Sequence, residues 1–359
     1  MHLSAAQLSA LLEGLDRRRV TELLETETVL KQRFTMLHQQ FRGDQQSLIQ
    51  GTSVTKIISC LELLSCLICL IVGPTERMTA GELLDDTRRI AVISAFEPEW
   101  EVLRAILHDR SDHIVNVTAF LTGTISGKPV VVFQSGIGMV NAAMTTQLAL
   151  ERFRVESIVF SGIGGGVNPD LSLGDVVVPE EWSSLQVVLA REGGDGYVLP
   201  KFFDRAAENF GMMFPQSTQI AQIGRQPEKR PWFTADAHLL DIAKAVSGKI
   251  ALKDCTTDHK CLERHPKVLV GGRGVSGQAF VDNSTFRDYI RHAFNADVLD
   301  MESAAVAHVA YVNHVPFIAF RSLSDLAGAD HDENQMHTFG QLASANSASL
   351  LEAFLSALH

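Results

Sequence analysis

Residues 90–96 read IAVISAF, and this continuous apolar run decides the class of the fold. A run of this kind is typical of a parallel strand that is buried on both faces. Glu97 and Pro98 follow it directly, and proline is favourable in the first turn of a helix. Further apolar strands then alternate with helical patterns as far as a closing helix at residues 339–358. The alternation predicts a three-layer α/β domain over residues 88–359.

The length and composition are those of a globular protein. The chain has 359 residues, of which 46% are hydrophobic and 20% charged, and this length suits one large domain with appendages. The net charge of −11 argues against a general surface that binds nucleic acids or anionic membranes, but it does not exclude a small local pocket for an anion. We therefore expect no nucleic-acid partner.

The first 73 residues lie outside this α/β pattern. Residues 1–56 show leucines at helical spacing and predict a helical extension whose role the sequence does not reveal. Residues 57–72 read IISCLELLSCLICLIV, and with Gly73, which follows them, they form an apolar segment over residues 57–73. The run is shorter than the about 20 apolar residues that span a bilayer, and it contains Glu62. It fits the apolar region of an export signal better than a stable span, so we assign it as a signal-like or membrane-anchor segment, with a buried core helix as the alternative.

Two cysteines lie close together in a polar loop. Cys255 and Cys261 enclose five polar residues, so either a disulfide or two free thiols are open. His259 and His265 are nearby, but their spacing fits no usual zinc site. A disulfide here and the apolar run together favour export to the periplasm or attachment to a membrane, with a cytoplasmic location as the alternative.

Three glycine-rich stretches follow apolar strands, at residues 135–138 (SGIG), 161–166 (SGIGGG) and 272–277 (GRGVSG). Interpreted as turns at the carboxyl ends of strands, they would line one crevice; the alternative is tight strand-to-helix packing. The third stretch matches G-x-G-x-x-G, which raises a dinucleotide site. Residues 278–281 intervene before the next helix, however, so the context disfavours that interpretation.

Two apolar elements carry acids where they begin or end. Residues 298–307 read VLDMESAAVA and include Glu302, and residues 320–325 read FRSLSD and end in Asp325. A buried carboxylate costs free energy unless it is paired or hydrogen-bonded, so these acids are candidate functional residues. The alternatives are a helix N-terminal charge for Glu302 and a helix N-cap for Asp325.

Seven motifs follow one another along the chain: AFEPE at 95–99, SGIG at 135–138, SGIGGG at 161–166, LGDVVV at 173–178, VSGQAF at 275–280, DMESAA at 300–305 and RSLSD at 321–325. In this order they resemble the purine nucleoside phosphorylase and nucleosidase superfamily. The resemblance is strongest to 5′-methylthioadenosine/S-adenosylhomocysteine nucleosidases, and it covers residues 89–357. The resemblance implies a nucleoside phosphorylase-like α/β/α domain with a central mixed sheet, a nucleoside substrate, no metal or organic cofactor, and a homodimer or larger assembly.

The resemblance also implies roles in cleavage of an N-glycosidic bond. Asp325 would be the general acid that protonates the purine at N7, and Ser324 would orient it. Glu302 would hydrogen-bond the ribose hydroxyls. Glu99 would activate the attacking water, with Ser135 beside that water.

Further residues are implied to bind the substrate. Phe280 would stack on the base, and the backbone of Val281 would contact the base edge. Met301 and Phe96 would pack on the sugar, and Phe339 would cover the 5′ substituent. The backbone at Gly136 and Gly164 would approach the ligand closely.

Hydrolysis is favoured over phosphorolysis. A phosphate dianion is usually held by arginine, and residues 135–138 contain none, while Glu99 would repel phosphate. Arg273 is either an anion ligand or a surface arginine. A non-catalytic nucleoside-binding relative is a second alternative, and the presence of Glu99, Glu302 and Asp325 together argues against it.

The segment at residues 328–337 is polar and rich in acids and histidines. A metal site built from its histidines and aspartates is conceivable, but a polar lid over the 5′ substituent is the better interpretation. The departures from the family in this region and in residues 182–232 leave the identity of the base and of the 5′ group open.

Overall fold

The computed structural model describes residues 82–329 and 333–358. The predicted helical extension at residues 1–56 and the apolar segment at residues 57–73 lie outside the described residues, so both stay predictions. Within the described residues the helices are α1 Glu97–Ala105, α2 Met139–Arg152, α3 Ala237–Ser247, α4 Ser284–Phe294, α5 Ser303–Asn313 and α6 Met336–Ala357.

The strands of the same residues include several short ones between α2 and α5. They are β1 Asp85–Ser94, β2 His108–Val115, β3 Thr118–Ile125, β4 Lys128–Gln134, β5 Phe153–Gly166, β6 Val176–Val178, β7 Glu181–Ser184, β8 Gln186–Leu189, β9 Arg191–Gly193, β10 Gly196–Val198, β11 Met213–Gln216, β12 Thr218–Ile220, β13 Glu228–Arg230, β14 Phe233–Thr234, β15 Val268–Val270, β16 Arg273–Ser276, β17 Val298–Asp300 and β18 Phe317–Asp325.

A mixed sheet of 12 strands forms the centre of the described region, as predicted. Its main path runs β14-β7-β16-β17-β5-β1-β4-β3-β2, while β18 pairs with β5 and β6, and β15 pairs with β6. Strand β1 is parallel to both of its neighbours, β4 and β5. Strand β5 is parallel to β18 but antiparallel to β17, so the sheet changes direction next to the carboxyl end of β5.

Helices cover both faces of this sheet. Alternate side chains of a strand point to opposite faces. In β1, Ala91 and Ile93 belong to a core shared with α2 and α5. Ile90 and Val92 belong to a second core shared with α1, α3 and α6. The predicted three-layer arrangement is therefore confirmed.

Two of the three glycine-rich stretches are strand rather than turn, and the prediction was wrong for them. Residues 161–166 continue β5, because the backbone there pairs with β18 and then with β17. A side chain at Gly162 would clash with Arg321 and Glu99, which explains why glycine occupies an extended position. Residues 273–276 form β16, and the next helix begins only at Ser284, so the G-x-G-x-x-G match does not open a helix.

Only residues 135–138 form the expected turn. Gly136 and Gly138 have φ angles of 82° and 96°, a region that favours glycine. Helix α2 begins immediately after this turn. The glycines therefore allow the chain to leave β4 and enter α2 without an intervening loop.

Residues 200–231 contain three short strands, β11, β12 and β13. Strand β11 pairs antiparallel with β8, which precedes this segment, and β12 pairs antiparallel with β13. The loop that follows α3 contains a disulfide between Cys255 and Cys261, so the disulfide rather than two free thiols is present in the structure. Among the described residues, no helix has the length and apolar character needed to cross a membrane.

Candidate active site

A cleft opens where β1, β5, β17 and β18 end, at the edge of the sheet where ligands bind in α/β folds. It encloses about 600 Å³, including its open mouth. Nine of the residues predicted for the site line it: Phe96, Glu99, Gly164, Phe280, Val281, Met301, Glu302, Ser324 and Asp325. Eight further residues, for which no site role was predicted, also line it: Ala95, Ile137, Ile163, Gly165, Ala279, Leu299, Asp300 and Met336.

Glu99 stands in the first turn of α1 and is almost fully buried. Its Oε2 accepts hydrogen bonds from the backbone N–H of Ala95 at 2.5 Å and of Phe96 at 3.4 Å, and its Oε1 accepts one from Ile163 at 2.8 Å. Burial raises the pKa of the Glu99 carboxyl, and the Arg321 charge and these three N–H groups partly offset that rise. Oε2 accepts two of these hydrogen bonds, whereas Oε1 accepts one and keeps a lone pair, so Glu99 can accept a proton from a bound water through Oε1.

Glu302 lies at the start of α5 and lines the same cleft as Glu99. Its Oε1 accepts a hydrogen bond from the backbone N–H of Gly138 at 2.8 Å, which ties α5 to the first glycine turn. Burial, together with the neighbouring Asp300 and Glu99 charges, raises the pKa of Glu302 to about 7, against the opposing effects of the Arg321 charge and the Gly138 N–H. The group therefore changes charge close to neutral pH.

Asp325 ends β18 and reaches the cleft beside Ser324. Its Oδ2 accepts a hydrogen bond from the Ser324 hydroxyl at 2.9 Å, and its Oδ1 accepts one from the N–H of Ala327 at 2.9 Å. Gly165 leaves room for this carboxyl, because a Cβ there would lie 3.1 Å from Oδ1. These two hydrogen bonds fix the orientation of the Asp325 carboxyl, and the role predicted for Ser324 requires such a contact.

The outer wall of the cleft is apolar and partly open. Phe280 is 54% exposed and stands at the mouth, followed by Val281. Met301 and Phe96 line the interior, and Met336 at the start of α6 completes the wall. A planar apolar ligand can therefore lie against aromatic and thioether groups while its polar end reaches the acids.

Three of the predicted site residues do not line the cleft. Ser135 is buried, and its hydroxyl donates to the backbone oxygen of Gly136 at 2.9 Å. Phe339 lies one turn beyond Met336 on α6 and is also buried. Their predicted roles, and that of the Gly136 backbone, stay predictions.

Arg273 is also placed away from the cleft. Its Nε lies 2.6 Å from Glu181 Oε1. Its guanidinium stacks on Trp232, with 4.8 Å between the guanidinium carbon and the centroid of the indole ring. Arg273 is therefore engaged by an acid and an aromatic ring, and it does not form a phosphate cradle in the cleft.

Sequence reasoning missed a fully buried arginine beneath the cleft. Arg321 is 0% exposed and lies among Glu99, Asp300 and Glu302, with its guanidinium carbon 3.9 Å from the centroid of the Phe160 ring. The available signal was an arginine inside an otherwise apolar strand, because a buried charge has to be paired.

A metal role finds no support among the described residues. Within residues 82–329 and 333–358, no group of three or more His, Cys, Asp or Glu side chains is arranged to hold a metal ion. Residues 330–332 lie outside the described residues, so the lid predicted for residues 328–337 stays a prediction.

Comparison with known proteins identifies the family. A protein-family model described as the phosphorylase superfamily matches residues 89–356, which is most of the chain. The chain belongs to the phosphorylase superfamily. The family predicted from the seven motifs is thereby confirmed, and the matched range agrees closely with the predicted 89–357.

Individual members of this superfamily are similar to the chain over most of their length. A 5′-methylthioadenosine/S-adenosylhomocysteine nucleosidase of Halalkalibacterium halodurans is 30% identical over 275 residues, which cover 75% of this chain and 99% of the relative. The solved structure of a nucleosidase of the same name from Neisseria meningitidis, bound to methylthio-immucillin-A, is 26% identical with a TM-score of 0.57, covering 76% of this chain and 100% of that one. The corresponding Colwellia psychrerythraea structure, bound to adenine, is 26% identical with a TM-score of 0.59, covering 77% and 97%.

Proposed function

We propose that the chain hydrolyses the N-glycosidic bond of an adenine-type nucleoside, giving the free base and a ribosyl product. The observation that carries the proposal is that Glu99, Glu302 and Asp325 line one cleft. These acids come from three separate elements, α1, the start of α5 and the end of β18, which the fold brings to one cleft. The names of the similar proteins support 5′-methylthioadenosine or S-adenosylhomocysteine as the substrate.

The proposed reaction assigns one task to each acid. Asp325 donates a proton to N7 of the purine, and the electron pair of the glycosidic bond leaves with the base. Glu302 hydrogen-bonds the ribose hydroxyls, and its charge favours the cationic ribosyl transition state. Glu99 takes a proton from water as the water oxygen bonds to the anomeric carbon. No metal or organic cofactor enters the scheme.

The rest of the cleft would hold the substrate in place. Phe280 stacks on the base, and the backbone of Val281 contacts the base edge. Met301 and Phe96 pack on the sugar, and Met336 stands where a 5′ substituent could be covered.

Water suits this cleft better than phosphate as the nucleophile. Glu99, Asp300 and Glu302 all line it, so a phosphate dianion would meet several acids. Arg321 lies beneath these acids rather than in the lining, and its Nε is 2.7 Å from Asp300 Oδ2. Its Nε is therefore already paired with an acid, and the guanidinium is not part of the lining that a phosphate would contact.

A nucleoside panel tests the proposed function. Methylthioadenosine, adenosylhomocysteine, adenosine and inosine would each be incubated with the purified chain, with and without phosphate, and free base measured by chromatography. We expect adenine release in phosphate-free buffer, with the unphosphorylated sugar as the second product. Strict dependence on phosphate would contradict hydrolysis, and binding without base release would favour the non-catalytic alternative.

We also propose that the chain forms a homodimer through α2. Val140 and Met144, four residues apart on this helix, are 68% and 61% exposed, and Ile137 at the cleft rim is 55% exposed. Residues four apart share one helix face, so these side chains form an apolar patch beside the cleft that a second copy would cover.

Charge placed on this patch should separate the copies. We expect V140D/M144D to show half the wild-type mass in light scattering, because burying two carboxylates at an interface is costly. The matched control is M212D, a change of an exposed methionine on a different segment, which should leave the mass unchanged. A wild-type chain that is already monomeric at micromolar concentration would rule the dimer out.

The predicted export or membrane attachment through residues 57–72 also stays a prediction. Fractionation of cells that express the full chain, with and without this segment, would check it.

A further inference from the structure

Beneath the cleft, one guanidinium is shared unequally among three carboxylates. Arg321 Nε lies 2.7 Å from Asp300 Oδ2, whereas its Nη2 lies 3.7 Å from Glu302 Oε2 and its Nη1 lies 3.9 Å from Glu99 Oε1. Only the first of these distances is within hydrogen-bonding range. Although Nη2 is buried, it has no hydrogen-bond partner among the described residues. Arg321 is thus held by its ion pair with Asp300 and by hydrogen bonds from Nε to Ser303 Oγ at 2.9 Å and from Nη1 to the backbone oxygen of Ile163 at 3.2 Å. It does not close on either of the other acids.

Asp300 is itself fixed by several donors. Its Oδ1 accepts hydrogen bonds from the Ser276 hydroxyl and from the backbone N–H groups of Glu302 and Ser303, the latter two at 3.2 Å. Ser303 Oγ in turn accepts a hydrogen bond from Arg321 Nε at 2.9 Å. Asp300 therefore connects the start of α5 to the arginine on β18, and it cannot move without disturbing both.

We propose that Asp300 is a positioning residue that holds Arg321 away from Glu302 and Glu99, so that both of those carboxylates stay free to contact substrate and water. The inference rests on the proposed function, because it concerns the two acids assigned to the sugar and to the water. Without Asp300, a small shift of the guanidinium would bring Nη2 into hydrogen-bonding range of Glu302. The ion pair would then neutralise the charge that the cationic transition state needs.

The charges that face Glu302 determine the sign of the expected pH effect. They are Arg321 on β18, Asp300 on β17 and Glu99 on α1, and Asp325 lies in the same cleft. Asp300 raises the pKa of Glu302 and Arg321 lowers it. Removal of the Asp300 charge therefore lowers this pKa directly, and the release of Arg321 lowers it again.

In the wild-type chain the ionised fraction of Glu302 grows as the pH rises through about 7, so kcat/KM should rise there. In D300N, Glu302 ionises at lower pH. We expect the rising limb of the kcat/KM profile to move down by about one pH unit. The plateau should fall about tenfold to hundredfold, because the ionised Glu302 is then paired with Arg321 instead of the ribose.

S276A is the matched control. It removes the hydrogen bond to Asp300 and the acceptor of the Ala304 N–H, but it leaves every charge in place. The rising limb of its kcat/KM profile should therefore stay at the wild-type pH. If D300N does not fold, as judged by thermal unfolding, D300S serves for the same measurement, since the prediction depends only on loss of the charge.

A lowered plateau with an unmoved limb would show that Asp300 is merely structural and would overturn the proposal. A titration of the Glu302 carboxyl by carbon-13 NMR, with the signal assigned by its absence in E302Q, compares the pKa of Glu302 in the wild type and in D300N without requiring turnover. If the wild-type chain released no base, the proposed function would fail. The titration would still support Asp300 positioning if the pKa of Glu302 fell in D300N, and would refute it if that pKa did not change.

Discussion

Replacement of Asp325 by asparagine should lower the rate of adenine release about a thousandfold, within the range that general acid catalysis contributes. An amide of the same shape still accepts the Ala327 N–H through its oxygen and donates to the Ser324 hydroxyl through its nitrogen, but it has no acidic proton for N7. The departing purine would then leave as an anion, which raises the barrier. The measurement is single-turnover release of adenine from methylthioadenosine, with binding of the substrate measured in parallel.

Three comparisons make this result specific to the proton. D241N changes an exposed aspartate on α3 and should leave the rate unaltered. S324A, which loses only the hydroxyl that orients the acid, should lose about tenfold. A p-nitrophenyl riboside, whose leaving group needs no proton, should be cleaved by D325N at close to the wild-type rate. Unchanged adenine release by D325N would exclude Asp325 as the acid.

Glu99→Gln should lower turnover by about a hundredfold to a thousandfold, because the attacking water then has no base to accept its proton. The glutamine can still accept hydrogen bonds through its amide oxygen, so part of the contact with Ala95 and Ile163 survives. Burial raises the pKa of Glu99, which makes it a better base than an exposed glutamate once it is ionised. The defect should appear in kcat, with a smaller change in KM.

The control for Glu99 lies on the same helix. Glu101 is exposed and stands two residues further along α1, so E101Q should behave as wild type. The riboside with the activated leaving group separates the two acids: E99Q should remain slow with it, whereas D325N should not. If E99Q cleaved it at the wild-type rate, attack by water would not depend on Glu99.

Much of the site could be predicted because its residues lie in short local motifs. Glu99 follows a strand and a helix-initiating Pro98, and Glu302 and Asp325 follow or end apolar strands, so each is recognisable within a few residues of chain. The glycine-rich stretch at residues 161–166 was misinterpreted for the opposite reason. Whether glycines form a turn or extend a strand depends on the strands that pair with them, and β17 and β18 come more than a hundred residues later.

The sequence by itself determined the α/β class, the superfamily and three acids, because strand and helix periods and local motifs depend on neighbouring residues. Only the tertiary structure decided that Arg321 lies beneath these acids and that Asp300 holds it at 2.7 Å. It also decided that Ser135 lies outside the cleft lining while Asp300 lies within it. The physical reason is that desolvation and Coulomb energies depend on distances between groups from α1, β17, α5 and β18. Those distances exist only once the sheet has assembled.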